Sequence, residues 1–249
     1  MDLTPGPLNA KAHQGLAELA ALVQQPVTPH APPPDSHWPF VIGWGLATNL
    51  RRQADAVVFL HQHDRAHESA PNRRMMIECM AQLCWLVEDG QDAVDSMNKA
   101  FQHSHGRLRA AVDEGGVFTY GDSVAAAADA VAAAVIPPNT KNQFNLTKKL
   151  LGRFGAGLTE AWLSETPDSH AGIAAAAAFF EQSPDGSIQL YDSPHYGGAP
   201  DPNELAPFMA FMLLYCGLEA FNDLMVGAPW TEELNRIGLA AGLPGGAAA

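Results

Sequence analysis

Arg74 and Glu78 stand four residues apart in a segment, 72–88, whose other positions are mostly apolar. At helical spacing they share a stripe with Ala81 and Trp85, opposite a broad face made by Met75, Met76, Cys79, Met80, Leu83, Leu86 and Val87. A stripe ending in tryptophan is not wholly solvated, so the guanidinium and the carboxylate are expected at a junction between helices. A second apolar segment carries Phe208, Phe211, Met212, Tyr215 and Leu218, and the same face continues into Glu219 and Asn222. Charge removed from water must be paired or hydrogen-bonded. The expected arrangement is therefore a polar network joining Arg74, Glu78, Glu219 and Asn222, with Arg74 paired to a carboxylate. Whether it fixes helix register, binds a ligand or takes part in catalysis stays open at this level.

A histidine works as a general base near neutral pH when a carboxylate orients it. His170, with Glu78 or Glu219 in that role, is the candidate catalytic set. The chain has ten histidines, which raises the question of a metal. In His61-Gln-His63-Asp64-Arg-Ala-His67-Glu68, a helix would point His61 and His63 about 200° apart, so the two cannot share an ion. His63 and His67 are four apart but face away from the apolar stripe and read as a surface pair. His103 and His105 have the same angular problem. Cys79 and Cys84 lack the second cysteine pair of a zinc ribbon. No bound metal and no cofactor are expected. The phosphate loop, the serine elbow, the dinucleotide fingerprint, the aspartate-rich motif of terpene cyclases and the Arg–His spacing of HEPN-type ribonucleases are all missing.

The elements that position these residues read as helices. Residues 1–8, with Pro5, Gly6 and Pro7, are expected to lack fixed structure, and a short amphipathic helix over about 9–24 places Leu16, Leu19, Ala20 and Val23 on one face. Residues 25–37 hold five prolines and form an extended connector. It lets the first helix dock on a partner subunit or on its own chain. Helices follow over 40–68, 72–88 and 91–112, and an alanine-rich one over 122–136. Others fall at 140–152, 155–165 and 167–182, with Pro167 in the first turn of the last. Ser187–Tyr191 is a short strand with Val117–Tyr120 as its expected partner. The apolar helix covers 203–226, and the tail from Gly242 is frayed. The organisation is an N-terminal helix and connector (1–37), a helical domain (38–240) and a tail (241–249). The fold class is all-α, a single-domain multi-helix bundle with a minor two-stranded ribbon.

The composition narrows function. With 27 acidic and 14 basic side chains the formal charge is −13, which argues against nucleic acid and anionic membranes as partners. Neither a signal peptide nor a run of about 18 apolar residues occurs, and three cysteines are too few for a disulfide scaffold. A cytoplasmic protein with buried free thiols is expected.

Two stretches carry a family resemblance. Asn72-Arg-Arg-Met-Met-Ile-Glu78-Cys-Met-Ala-Gln-Leu-Cys-Trp-Leu86 resembles the Arg-x-x-x-Glu helix of a bacterial family of helical proteins, domain of unknown function 5677. Trp162-Leu-Ser164-Glu-Thr166-Pro-Asp-Ser-His170 is similar to that family's aromatic–Ser–His stretch, with Thr166 in place of the serine and Pro167 a departure. The likeness would span about 40–226. It implies an all-α fold with Arg74, Glu78 and His170 near one another, and no established activity.

Three functions are then in play. The favoured one is a module that binds a protein partner or itself as a homo-oligomer, without catalysis. The second is a hydrolase using His170 with Glu78 or Glu219. The third is a small-molecule sensor with a pocket walled by Met75, Met76, Met80, Met209 and Met212.

Overall fold

The computed structural model describes residues 4–27, 37–114, 129 and 132–243. The described helices are α1 (Pro5–Val23), α2 (His37–Gln62), α3 (Ala70–Asp89), α4 (Gln91–Asp113), α5 (Thr147–Phe154), α6 (Ala156–Ser169), α7 (Ile173–Ala177), α8 (Ala206–Asp223) and α9 (Thr231–Ala241). One antiparallel ribbon joins β1 (Phe180–Gln182) to β2 (Ile188–Leu190). The chain is all-α with that minor ribbon. More than half of the expected alanine-rich helix (122–128, 130 and 131) lies outside the described residues. Most of the proline connector and the end of the tail lie there too, as does Val117–Tyr120.

Helix α8 is the axis. Phe211, Leu214, Leu218 and Phe221 are sealed within it, and α1, α2, α3 and α9 pack around it. Gly217 sets the spacing: a Cβ there would stand 2.2 Å from Leu50 Cδ2 of α2 and 3.3 Å from Leu83 Cδ1 of α3. Glycine costs a helix about 1 kcal/mol relative to alanine, and here it allows α2 and α3 to close on the α8 backbone. Helices α5 and α6 lie on α3. A smaller core of Trp85, Leu86, Ala93, Val94 and Leu150 ties α4 and α5 to α3.

Several boundaries differ from the sequence reading, each for a local reason. Helix α1 starts at Pro5, because a first turn has no use for the N–H groups that Pro5 and Pro7 lack. It docks on α8 and α9 of its own chain through Leu8, Ala12, Leu16 and Leu19, so the reason for seeking a partner subunit to hold it falls away. Helix α2 stops at Gln62, ahead of Asp64 with its φ of 56°. Pro167 sits inside α6 rather than opening the next helix, and the residues after it give only the short α7. The strand near 188 pairs with Phe180–Gln182, Phe180 facing Leu190 and Gln182 facing Ile188. This hairpin closes a short loop, pinned by Gly186 at φ 87° and by Ser187 donating to Asp185. Helix α9 was not anticipated. Among the described residues no helix is long and apolar enough to cross a membrane.

Candidate functional site

The four residues expected to form one network are divided among separate places. Arg74 and Glu78 share a site at the junction of α3 with α6. Arg74 Nε donates to Glu78 Oε1 (3.3 Å), and Nη1 donates to Thr166 Oγ1 (2.8 Å) and to His170 Nε2 (3.0 Å). The guanidinium lies over the Trp162 ring, 4.3 Å from its centroid, a cation–π contact. The Trp162 indole N–H donates to Glu78 Oε1 (2.7 Å). Thr166 Oγ1 in turn donates to the Trp162 carbonyl (2.8 Å). Trp162 and Thr166, at i and i+4 on α6, share the edge facing α3, and His170, the residue that caps the helix, completes the group.

Glu219 and Asn222 are elsewhere. Glu219 accepts from the Tyr215 hydroxyl one turn away (2.9 Å). Burial pushes its carboxyl above the ordinary range, partly offset by that hydrogen bond. Asn222 holds the start of α9: its Oδ1 accepts from Trp230 N (2.8 Å) and its Nδ2 donates to Thr231 Oγ1 (3.0 Å). The reason for the division is geometric, since Arg74 faces α6 on the side of α3 away from α8.

Beside this junction lies a cluster that the sequence reading missed. Arg73 is 3% exposed, and all five of its N–H donors are engaged. Nε and Nη2 form a fork on Glu165 (2.8 and 2.7 Å), and Nη2 also reaches Asn203 Oδ1 (2.6 Å). Nη1 donates to the Ala66 carbonyl (2.8 Å) and to Ser69 Oγ (2.6 Å). A paired, saturated guanidinium of this kind is what makes a buried charge tolerable. The network continues from Asn203 Nδ2 to Tyr196 Oη (3.0 Å), which contacts His67 Nδ1 at 3.3 Å. Burial, helped by Asp201, pushes the Tyr196 hydroxyl up to about 12. A signal was present: Arg73, Met76, Ile77 and Met80 follow i, i+3, i+4, i+7, and so do Leu158, Ala161, Trp162 and Glu165. Each apolar stripe carries one opposite charge.

The chemistry available at the Arg74 junction is limited by these bonds. His170 Nε2 presents its lone pair to Arg74, which leaves the ring proton on Nδ1. Among the described residues neither Glu78 nor Glu219 hydrogen-bonds that ring. Burial holds the Cys79 thiol up at about 12 and Cys84 and Cys216 at about 11, so all three stay protonated and weakly nucleophilic near neutral pH.

His67 is buried rather than at the surface, edge-on to Phe179 with ring centroids 5.8 Å apart. His63 Nδ1 contacts the Phe59 carbonyl at 2.7 Å, and His105 lies 3.3 Å from Asp129. Among the described residues no three His, Cys, Asp or Glu side chains come together as metal ligands would. The five methionines do not form one wall, since Met76 and Met80 are sealed in the core while Met75 is exposed. The chain matches no family model, no curated protein and no solved structure.

Proposed function

We propose that the chain is a protein-interaction and self-association module that works without catalysis in a reducing cytoplasm, with the apolar face of the β1–β2 ribbon as its docking element. The observation that carries this reading is the exposure of Ile188 (64%) and Leu190 (78%). The register puts both on the same ribbon face as Phe180, with Gln182 beside Ile188 as its polar member. Large apolar side chains grouped on one exposed face mark interaction sites. Among the described residues both strands also have an unpaired edge that another strand can extend. The opposite face is polar and internally bonded, with Tyr191 Oη donating to Glu181 (2.9 Å) and its ring stacked on His195.

Two further points support the reading. The segment bearing the ribbon is fixed to the core through Tyr196, Asn203 and Arg73, so the face is presented from a rigid base. At the Arg74 junction each polar group engages another, which suits a tie between helices. The meeting of Arg74, Glu78 and His170 agrees with what the likeness to domain of unknown function 5677 implies, and we extend the proposal to membership of that family.

Light scattering over a concentration series tests the docking element. The wild-type mass is expected to rise towards twice the 26.5 kDa of one chain, and I188K/L190K to stay at the single-chain mass. A wild-type mass that stays at one chain throughout, or an unaltered rise in the variant, would overturn self-association through the ribbon.

A further inference from the structure

Helices α1 and α2 both rest on α8 but diverge from each other, and the space between them is a groove of about 400 Å3. That lies within the roughly 300–1,000 Å3 span of small-molecule sites. Leu16, Ala17 and Ala20 form one wall, Ala54 and Val58 the other, and Leu214 the floor. The groove is open because three of these positions are alanine; a leucine at any of them would narrow it. The two helices run antiparallel across it, since Asn9 Nδ2 donates to the Glu204 carbonyl (2.8 Å) and His61 Nε2 approaches the same oxygen (3.3 Å). His13 and Gln62 are therefore brought to the same end.

These two side chains are the polar groups with unused capacity. Among the described residues neither the His13 ring nor the Gln62 amide has a hydrogen-bond partner. The neutral imidazole offers one donor and one acceptor, and the amide offers an acceptor oxygen and two N–H donors. Burial, and the nearby His61, hold His13 below its ordinary value, so the ring is neutral near pH 7. The remaining polar lining group is Asp55, already paired with Arg51 (2.8 Å). No Lys or Arg lines the groove, so it holds no cation for an anionic headgroup, and the carboxylate repels one.

We infer that this groove is a binding site for a neutral, largely apolar small molecule whose single hydroxyl, carbonyl or amine group is held by His13 and Gln62. The site is independent of the ribbon. It also differs from a methionine-walled pocket, since its apolar lining is alanine, leucine, valine and Phe59, with no methionine.

Fluorescence titration of the full chain with the neutral dye N-phenylnaphthylamine tests this, with the anion anilinonaphthalene sulfonate as the contrasting probe. The neutral dye is expected to bind saturably at one site per chain and more tightly than the anion. Ala17→Phe fills the groove from an exposed position and is expected to weaken the dye about tenfold or more. Ala20→Leu does the same more gently and serves if A17F lowers the melting temperature. His13→Leu removes the polar hold and is expected to weaken the dye about fivefold, whereas I188K/L190K leaves it unchanged. The proposal is overturned if the neutral dye shows no saturable binding or if neither A17F nor A20L alters it. Tighter binding of the anion, or loss of binding in the ribbon variant, overturns it equally.

Discussion

Arg73 and Arg74 are consecutive residues of one helix, both reach across to α6, and they hold it in different ways. Arg73 is enclosed, forked on Glu165 and saturated by Ala66, Ser69 and Asn203. Arg74 is partly solvated, stacked on Trp162, and shares its remaining contacts among Glu78, Thr166 and His170. One residue of rotation, about 100°, separates a charge that must never lose its partner from one that water can rescue. The first is a tie whose failure is expensive; the second is adjustable.

The largest expected effect comes from breaking the enclosed pair. Arg73→Met leaves Glu165 buried without a counter-charge and is expected to cost about 3–5 kcal/mol in urea unfolding, whereas R73L/E165L recovers most of that loss. A single-variant cost below about 1 kcal/mol would erase the distinction between the two arginines. Next comes Arg74→Ala, expected to lose about 1–2 kcal/mol from the cation–π contact and its hydrogen bonds together. R74K should fall between, because lysine keeps the charge but not the planar stack. Salt then separates the pair further. In 1 M NaCl, where screening acts within about 3 Å, the R74A deficit is expected to shrink while that of R73M persists.

The smallest effect concerns Glu219, a carboxylate that pairs with no cation among the described residues. Glu219 is held above its ordinary value of 4.5 by burial, so the folded state binds its proton more tightly than the unfolded state. Its contribution is therefore full below 4.5 and is lost as pH rises through the elevated value. Glu219→Gln should match the wild type at pH 4 and melt about 1–2 °C higher at pH 8. Melting curves followed by circular dichroism at the two pH values check this. A variant less stable at pH 8 would mean that Glu219 has a cationic partner after all.

How much was legible follows from the kind of signal each residue leaves. The i, i+4 relation of Arg74 and Glu78 is local, so sequence spacing alone placed them together. The proximity of Thr166 and His170 came through the family likeness, because nothing local links residues 92 and 96 positions away. Arg73 was overlooked although it sits on the apolar stripe, because its partner Glu165 lies 92 residues away on another helix. The network proposed for Glu219 and Asn222 failed for a related reason. Periodicity gives the face of each helix but not which faces meet. Helix α9 escaped because its buried positions Leu234, Ile237, Gly238 and Ala241 include two small residues, which leave a weak hydrophobic pattern. In the ribbon, strand β2 was legible while its partner was not, since several segments could have supplied the second strand.

The close fit at Gly217 also has a history in time. Leu50, which fills the space where a Cβ would stand, precedes that glycine by roughly 170 residues. Helix α1 likewise waits for α8 and α9, and its Glu18 is bonded to Arg236 near the other end of the chain. During synthesis, α2 and α3 emerge together and can pair, yet their surfaces towards α8 stay bare until Ala206–Asp223 arrives. Long-range closure of this kind slows folding and lengthens the exposure of apolar surface. Helix α1, made before α8 and α9, thus finds its place only after both have followed it.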